Sequence, residues 1–250
     1  MNQLELLFAT GSAERTILKE RRAGYPYSVT APINRAGTAE LTLQSISGGL
    51  YGGETLSQRI EMSCHARAKL IQPTATTVRR ANNIDPAHQT IALQAGPHSN
   101  LAYLARPLIM MPGAKLVQNW WITLYPQACI TLFDGFLSHS PGDARPDWHF
   151  TSRLTACDAL GRLLAAERMN IRGNALKHFT AFGKFWCFGR SPPAVLPRLP
   201  KAQIGASALP GNAGFTIALA ALDGGALCEA MEQISPLLVP PPVCRHAPHS

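Results

Sequence analysis

Trp148-His149-Phe150-Thr151-Ser152-Arg153-Leu154-Thr155 is the stretch that decides the fold. Trp148, Phe150, Ser152 and Leu154 alternate with His149, Thr151, Arg153 and Thr155, which places one set on each face of a pleated strand. A helix would mix the two sets, and aromatic and β-branched residues suit a half-buried strand. The same period recurs on both sides. Upstream, Leu41 and Leu43 alternate with Glu40, Thr42 and Gln44; downstream, Leu163, Ala165, Met169 and Ile171 share a face opposite Arg162, Arg168 and Arg172. Glu167 is the one exception on that apolar face. Between residues 40 and 171, short apolar runs are broken by Gly, Pro, Asn and Asp, the rhythm of an antiparallel β protein.

Helix signals are few and late. Leu227, Ala230, Met231 and Ile234 fall at i, i+3, i+4 and i+7 after Asp223-Gly224-Gly225, predicting one amphipathic helix that stops before Pro236. Residues 174–186 fit a helical face (Leu176, Phe179, Phe182) or a strand face (Phe179, Ala181, Gly183, Phe185), and the glycines favour the strand. The expectation is one mainly β domain over residues 1–239, built of packed antiparallel and mixed sheets with few helices, one of them near the C-terminus. The proline-rich residues 191–200 read as an extended connection within it. Residues 240–250, headed by Pro240-Pro241-Pro242, read as a flexible tail.

Composition narrows the function. The 250 residues are 46% hydrophobic and 15% charged, which supports a buried core and argues against intrinsic disorder. The formal net charge of +8 would attract an acidic partner. Residues 116–133 and 202–222 contain no Asp, Glu, Lys or Arg. Gln118, Asn119, Pro126 and Gln127 interrupt the first run, and Gln203, Gly205, Pro210 and Gly211 the second. Both therefore read as buried strands joined by turns and not as membrane spans. With Glu5 where a secretory leader would be basic, the expected compartment is cytoplasmic. The six cysteines include no Cys-x-x-Cys pair, so the expectation is buried thiols and no structural zinc.

The strongest glycine cluster is Gly48-Gly49-Leu50-Tyr51-Gly52-Gly53-Glu54. It fails as a phosphate loop, because Glu54 stands where Lys followed by Ser or Thr would be needed. It reads as a tight strand connection or a partner-docking loop. No Gly-x-Ser-x-Gly elbow or His-Glu-x-x-His pair occurs, and Ser138, His139 and Asp143 are too close in sequence to converge as a triad. The chain reads as a non-enzyme. Metal-ligating residue types (Glu54, Glu61, His65, Asp134, His139, Asp143) are scattered and predict at most transient contact with an ion, with no cofactor retained. Cys64 and His65, taken as strand neighbours, would point to opposite faces. Cys244, His246 and His249 form a separate candidate in the tail. The basic clusters Lys19-Glu20-Arg21-Arg22 and Arg79-Arg80 lack an RNA-binding aromatic motif. A basic binding module for RNA or an acidic protein is the alternative function.

Residues 46–80 carry a resemblance. Ile46-Ser47-Gly48-Gly49-Leu50-Tyr51-Gly52-Gly53-Glu54-Thr55-Leu56, an alternating strand, and then Gln72-Pro73-Thr74-Ala75-Thr76-Thr77-Val78-Arg79-Arg80 resemble the urease accessory family UreD, also called UreH. The likeness continues more weakly through residues 101–111, Phe133-Asp134-Gly135-Phe136-Leu137, Glu167-Arg168-Met169 and the late helix. It departs where the family has Asp and this chain Glu54, and where the family has Lys and this chain Thr77. Arg79 and Arg80 are near enough to compensate in charge. The resemblance implies a β-rich scaffold that binds urease apoprotein and a UreF-type partner, through which a UreG-type GTPase joins, and that assists nickel insertion. On this reading Gly48, Gly49, Gly52, Gly53, Glu54, Thr74, Thr76, Arg79 and Arg80 form a partner-binding or structural turn.

Overall fold

The structure is a computed structural model, and it describes residues 2–80, 85–139 and 147–239. The first strands are β1 (Leu4–Thr10), β2 (Thr16–Ala23), β3 (Tyr27–Val29), β4 (Ile33–Arg35), β5 (Thr38–Ser45) and β6 (Leu50–Tyr51). The middle of the chain forms β7 (Thr55–Met62), β8 (Arg67–Gln72), β9 (Thr77–Arg79), β10 (Ala87–Ala95), β11 (Asn100–Ala105), β12 (Leu108–Met110) and β13 (Lys115–Leu124). Then follow β14 (Cys129–Ser138), β15 (His149–Asp158), β16 (Leu163–Arg172), β17 (Ala181–Phe188), β18 (Ala202–Ala208), β19 (Gly214–Ala221) and the helix α1 (Gly224–Leu238).

Two sheets result. One is seven-stranded in the order β16-β15-β13-β10-β7-β1-β2; the other runs β18-β19-β17-β14-β11-β8-β5-β3, with β4, β6, β9 and β12 joined to its side. Successive strands alternate between the sheets: β7, β10, β13 and β15 build the first, while β8, β11 and β14 build the second. This is a solenoid-like winding, and it corrects the antiparallel rhythm expected for residues 40–171. Its central pairings are parallel in both sheets. Antiparallel pairing is confined to the flanks, as in β15–β16, β14–β17 and β17–β19. Turn chemistry and alternation fix that a strand exists; they are blind to the sheet in which its neighbour lies.

The main core fills the space between the sheets, with Leu4, Phe8, Leu43, Ile60, Leu70, Leu93, Ile122, Ile130 and Leu132 all buried there. As the deciding stretch predicts, Trp148, Phe150, Ser152 and Leu154 point inward while Arg153 is exposed. Phe136 packs edge-on to Trp148 and Phe150 at 5.5 and 5.2 Å between ring centroids, and Trp148 Nε1 donates to Ser138 Oγ at 2.9 Å. The face predicted for β16 holds for Ala165, Glu167, Met169 and Ile171, but Leu163 is 64% exposed. A register shift after Ala156 turns Leu164 inward in its place.

In the ambiguous residues 174–186 the strand prevails from Ala181. Gly183 and Gly135 face each other across β14 and β17, where a Cβ would stand 2.4 and 2.8 Å from the Phe133 ring. The ring occupies the space both lack. Helix α1 covers the outer face of β14, β17, β18 and β19 with Leu227, Ala230, Met231 and Ile234 buried. Asp223 caps its start by accepting from Ala226 N–H at 2.8 Å. The expected stop before Pro236 is overturned: the helix runs to Leu238. A proline in the last turn removes only one backbone donor, and Val239 N–H still reaches Ser235 O at 2.9 Å.

Two burial expectations are corrected. Within residues 202–222, β19 is buried but β18 is an exposed edge strand. Of the cysteines only Cys187 is buried among the described residues; Cys64 is exposed and Cys129, Cys157 and Cys228 are partly so. No helix among the described residues is long and apolar enough to cross a membrane.

Candidate functional site

The double-glycine segment and the threonine segment meet in space. The short strand β6, inserted where the sequence suggested a single turn, pairs in parallel with β9 through Leu50–Val78 and Tyr51–Arg79. Thr77 Oγ1 donates to Gly48 O at 2.9 Å, and Gly49, at φ 148°, lies so close that a Cβ would sit 2.5 Å from both Thr77 O and Thr77 Oγ1. Thr77 therefore clamps the glycine loop. Gly52 N–H reaches Arg79 O and Gly53 N–H reaches Pro86 O, each at 3.2 Å. Glu54 closes the turn: its Oε2 accepts from Tyr51 N–H at 2.9 Å. Gln72 Nε2 donates to Thr76 Oγ1 at 2.9 Å, while Thr74 is exposed. Arg79 and Arg80 are exposed beside the loop, Arg80 with its stem against Gly113.

The five metal-ligand candidates among the described residues, Glu54, Glu61, His65, Asp134 and His139, do not form a cluster. Glu54 precedes β7 and His65 follows it, which separates them by the length of an eight-residue strand, roughly 25 Å at the usual rise. Glu61 lies on the outer face of β7 and pairs with Arg59. His139 follows β14 at the surface. Asp143 and the Cys244, His246, His249 tail lie outside the described residues. No group of three or more His, Cys, Asp or Glu side chains placed to hold a metal occurs among the described residues. Cys64 and His65 lie in a turn and not along a strand. His65 stacks on His98 of the equivalent turn before β11, with ring centroids 4.7 Å apart.

Asp134 is the exception, because it points between the sheets. One of its oxygens accepts from Ser152 Oγ at 3.1 Å. Behind Ser152 lies a polar row across three strands of the first sheet, since Gln89, Gln118 and Ser152 are register partners on β10, β13 and β15. Gln118 Nε2 donates to Gln89 Oε1 at 3.2 Å. Deeper in, Tyr103 Oη donates to Gln58 Oε1 at 2.9 Å and Gln58 Nε2 donates to Tyr27 Oη at 3.0 Å. Desolvation holds the Tyr103 hydroxyl neutral far above the usual phenol range. Asp134, Gln89, Gln118, Tyr103, Trp120, Gln72 and Arg106 surround a cavity of about 30 Å³, room for about one water. Asp134 lines this cavity and is itself half-buried.

That setting raises the Asp134 carboxyl from 3.8 to about 6, chiefly by desolvation and secondarily by the nearby Glu167 charge, against the favourable Ser152 bond and Lys184. Trp120 Nε1 is buried without a hydrogen bond of normal geometry, yet its N–H is near enough to favour the ionised carboxyl slightly. Glu167, the apolar-face exception of the sequence, pairs with Lys184 across the gap between the sheets. Lys184 is also the cross-strand partner of Asp134. At the cavity's other end, Gln72 and Arg106 also line an open groove of about 870 Å³ between α1 and strands β5, β8 and β11. Arg106 Nη2 bonds Glu232 Oε1 of α1 at 2.5 Å, which holds the guanidinium charged.

Residue type alone singles out Asp134 in the sequence, but not the polar groups around it: Gln58, Gln89, Gln118, Ser152 and the Arg106–Glu232 pair. The signals were present: Ser152 on an otherwise apolar face, Gln118 inside a charge-free run, and Glu167 out of pattern.

Comparison with known proteins agrees with this architecture's sequence motifs. The family model described as UreD urease accessory protein matches residues 2–249. The chain is 32% identical to urease accessory protein UreD 1 of Methylorubrum extorquens (strain PA1), an alignment covering 93% of this chain and 85% of that one. It is 29% identical to UreD 1 of Pseudomonas syringae pv. tomato over 90% and 87%, and 27% identical to UreD of Mycolicibacterium smegmatis over 92% and 88%. With the double-glycine loop clamped on the threonine strand and a match running nearly end to end, this chain belongs to the UreD family of urease accessory proteins.

Proposed function

We propose that this chain is a cytoplasmic scaffold for urease maturation. It binds urease apoprotein and a UreF-type partner, gathers a UreG-type GTPase through that complex, and assists nickel insertion without catalysing a reaction itself. Family membership supports the accessory role, and the observation that carries the nickel part is the ionisable Asp134 in a polar cavity that shares Gln72 and Arg106 with an external groove. A carboxyl titrating near 6 is mostly anionic at neutral pH and still desolvated, so it attracts a divalent ion. One carboxylate with amide and hydroxyl neighbours is a weak oxygen-rich set for nickel, which suits an ion in passage. The Arg106–Glu232 pair neutralises the guanidinium that would otherwise repel the ion at the entrance. Glu54 serves the loop in this reading, and the glycine loop with Arg79 and Arg80 offers a rigid exposed edge for a partner.

The test is urease activation in cells lacking this chain, measured with and without excess nickel. Inactive urease protein that wild-type chain rescues, and that the Asp134→Ala chain rescues less well, supports the reading. Normal activation without the chain removes it.

A further inference from the structure

The seven-stranded sheet has an outer face that no helix covers among the described residues, since α1 lies on the other sheet. On that face Trp121 of β13 is 54% exposed, with Ala92 of β10 and Thr155 of β15 as its register neighbours. These small side chains leave the indole standing above its surroundings. Two residues along, Arg153 of β15 lies directly opposite Arg168 of β16. Both are exposed, and neither joins an ion pair among the described residues. Like charges directly opposite each other destabilise an antiparallel pair, so this placement disfavours the isolated chain. One strand and two residues separate Trp121 from Arg153, roughly 8 Å by ordinary sheet spacings.

We propose that this face is a docking surface for a partner protein whose carboxylates settle between Arg153 and Arg168 while an adjoining cleft takes the Trp121 indole. Guanidinium groups bind carboxylates as a fork, and an exposed Trp beside Arg is the composition of an interface hot spot. A nucleic acid fits less well. Its backbone requires a continuous track of cations, whereas the other cations of this face, Lys115 and Arg172 in the row of His149 and Arg59 beside Ala92, are set apart from the Arg153–Arg168 pair by the neutral Val117, Thr151 and Asn170 on one side and Ala92, Asn119 and Thr155 on the other. The docking surface is separate from the glycine loop and from the groove under α1, so it provides a second face for a scaffold that gathers more than one protein.

The choice of probes rests on the maturation reading: purified urease apoprotein and purified UreF-type protein from the same organism. Trp121→Ala and the double variant Arg153→Ala, Arg168→Ala are compared with wild type, with circular dichroism and urea midpoints to show that each is folded. The double variant is expected to be at least as stable as wild type, because the like-charge contact is gone. Since carboxylates are what the arginine pair receives, each variant is expected to weaken the more acidic of the two probes about tenfold or more and to leave the other unchanged. Wild-type binding that both variants retain overturns this assignment alone. Wild-type chain that binds neither probe overturns the maturation reading and this assignment with it. An RNA oligonucleotide held by wild type and released by the same variants overturns the protein occupant.

Discussion

Replacing Asp134 with Asn keeps the side-chain shape and an oxygen for Ser152 Oγ but removes the proton equilibrium. The folded chain holds the Asp134 proton to about pH 6, against 3.8 for the free carboxyl. Between those values the unfolded chain releases its proton first, so it binds fewer protons than the folded one and stability falls as pH rises. A shift of about two units corresponds to about 3 kcal/mol, present as added stability below pH 4 and lost by the time pH has passed 6. The carboxyl is half-buried beside a cavity of about 30 Å³ with room for a screening water, which makes about 1–3 kcal/mol the working range. The Asn variant lacks this loss, so its stability relative to wild type should improve by that amount between pH 4 and pH 8. Other carboxylates, such as Asp158 with its pKa lowered by Arg162, slope the opposite way, but they are common to both proteins and cancel in the difference. Urea unfolding at both pH values measures it; with a slope of about 2–3 kcal/mol per molar for a chain of this size, the relative midpoint should move by about 0.3–1.5 M. A difference independent of pH would show that Asp134 is solvated like a surface carboxylate, and the desolvated-cavity argument would fall.

Two further substitutions probe the framework. Gly49→Ala forces a Cβ to 2.5 Å from Thr77 O and Oγ1 at φ 148°, and should cost about 2–4 kcal/mol by urea unfolding; the variant Gly49→Ala, Thr77→Ala should recover only the side-chain part of that loss. Asp223→Ala removes the cap on α1 and should cost about 1 kcal/mol, with faster amide exchange confined to the first turn of that helix.

How far the sequence discloses this molecule depends on the range of the interaction involved. Alternation is a property of neighbouring residues, so Trp148, Phe150, Ser152 and Leu154 reveal their face directly, and the i, i+3, i+4 stripe of α1 does likewise. Pairing direction is not local. The parallel stack β7-β10-β13-β15 arises because the intervening strands β8, β11 and β14 cross to the opposite sheet, and nothing within any one strand records that crossing. The same limit governs the metal candidates. Residue type identified Glu54, Glu61, His65 and His139, but Glu54 and His65 end up at opposite ends of β7, Glu61 pairs with Arg59 and His139 is exposed after β14; of the candidates among the described residues, Asp134 is the one that meets other polar groups inside.

Parallel winding also explains how a polar seam can exist in a core built of apolar strands. In a parallel stack, residues at equivalent positions of successive coils lie side by side, so Gln89, Gln118 and Ser152 form one row by register alone. Each member then satisfies its neighbour, which limits the desolvation cost of burying three polar side chains. A slip of one residue in β13 would send Gln118 outward and Trp121 inward, breaking the seam and emptying the outer face in one step. The register that lines the cavity beside Asp134 is therefore the register that presents Trp121 and Arg153 to a partner. A substitution that shifts β13 should impair the interior and the docking face together, whereas Trp121→Ala should leave the Asp134 pH dependence untouched.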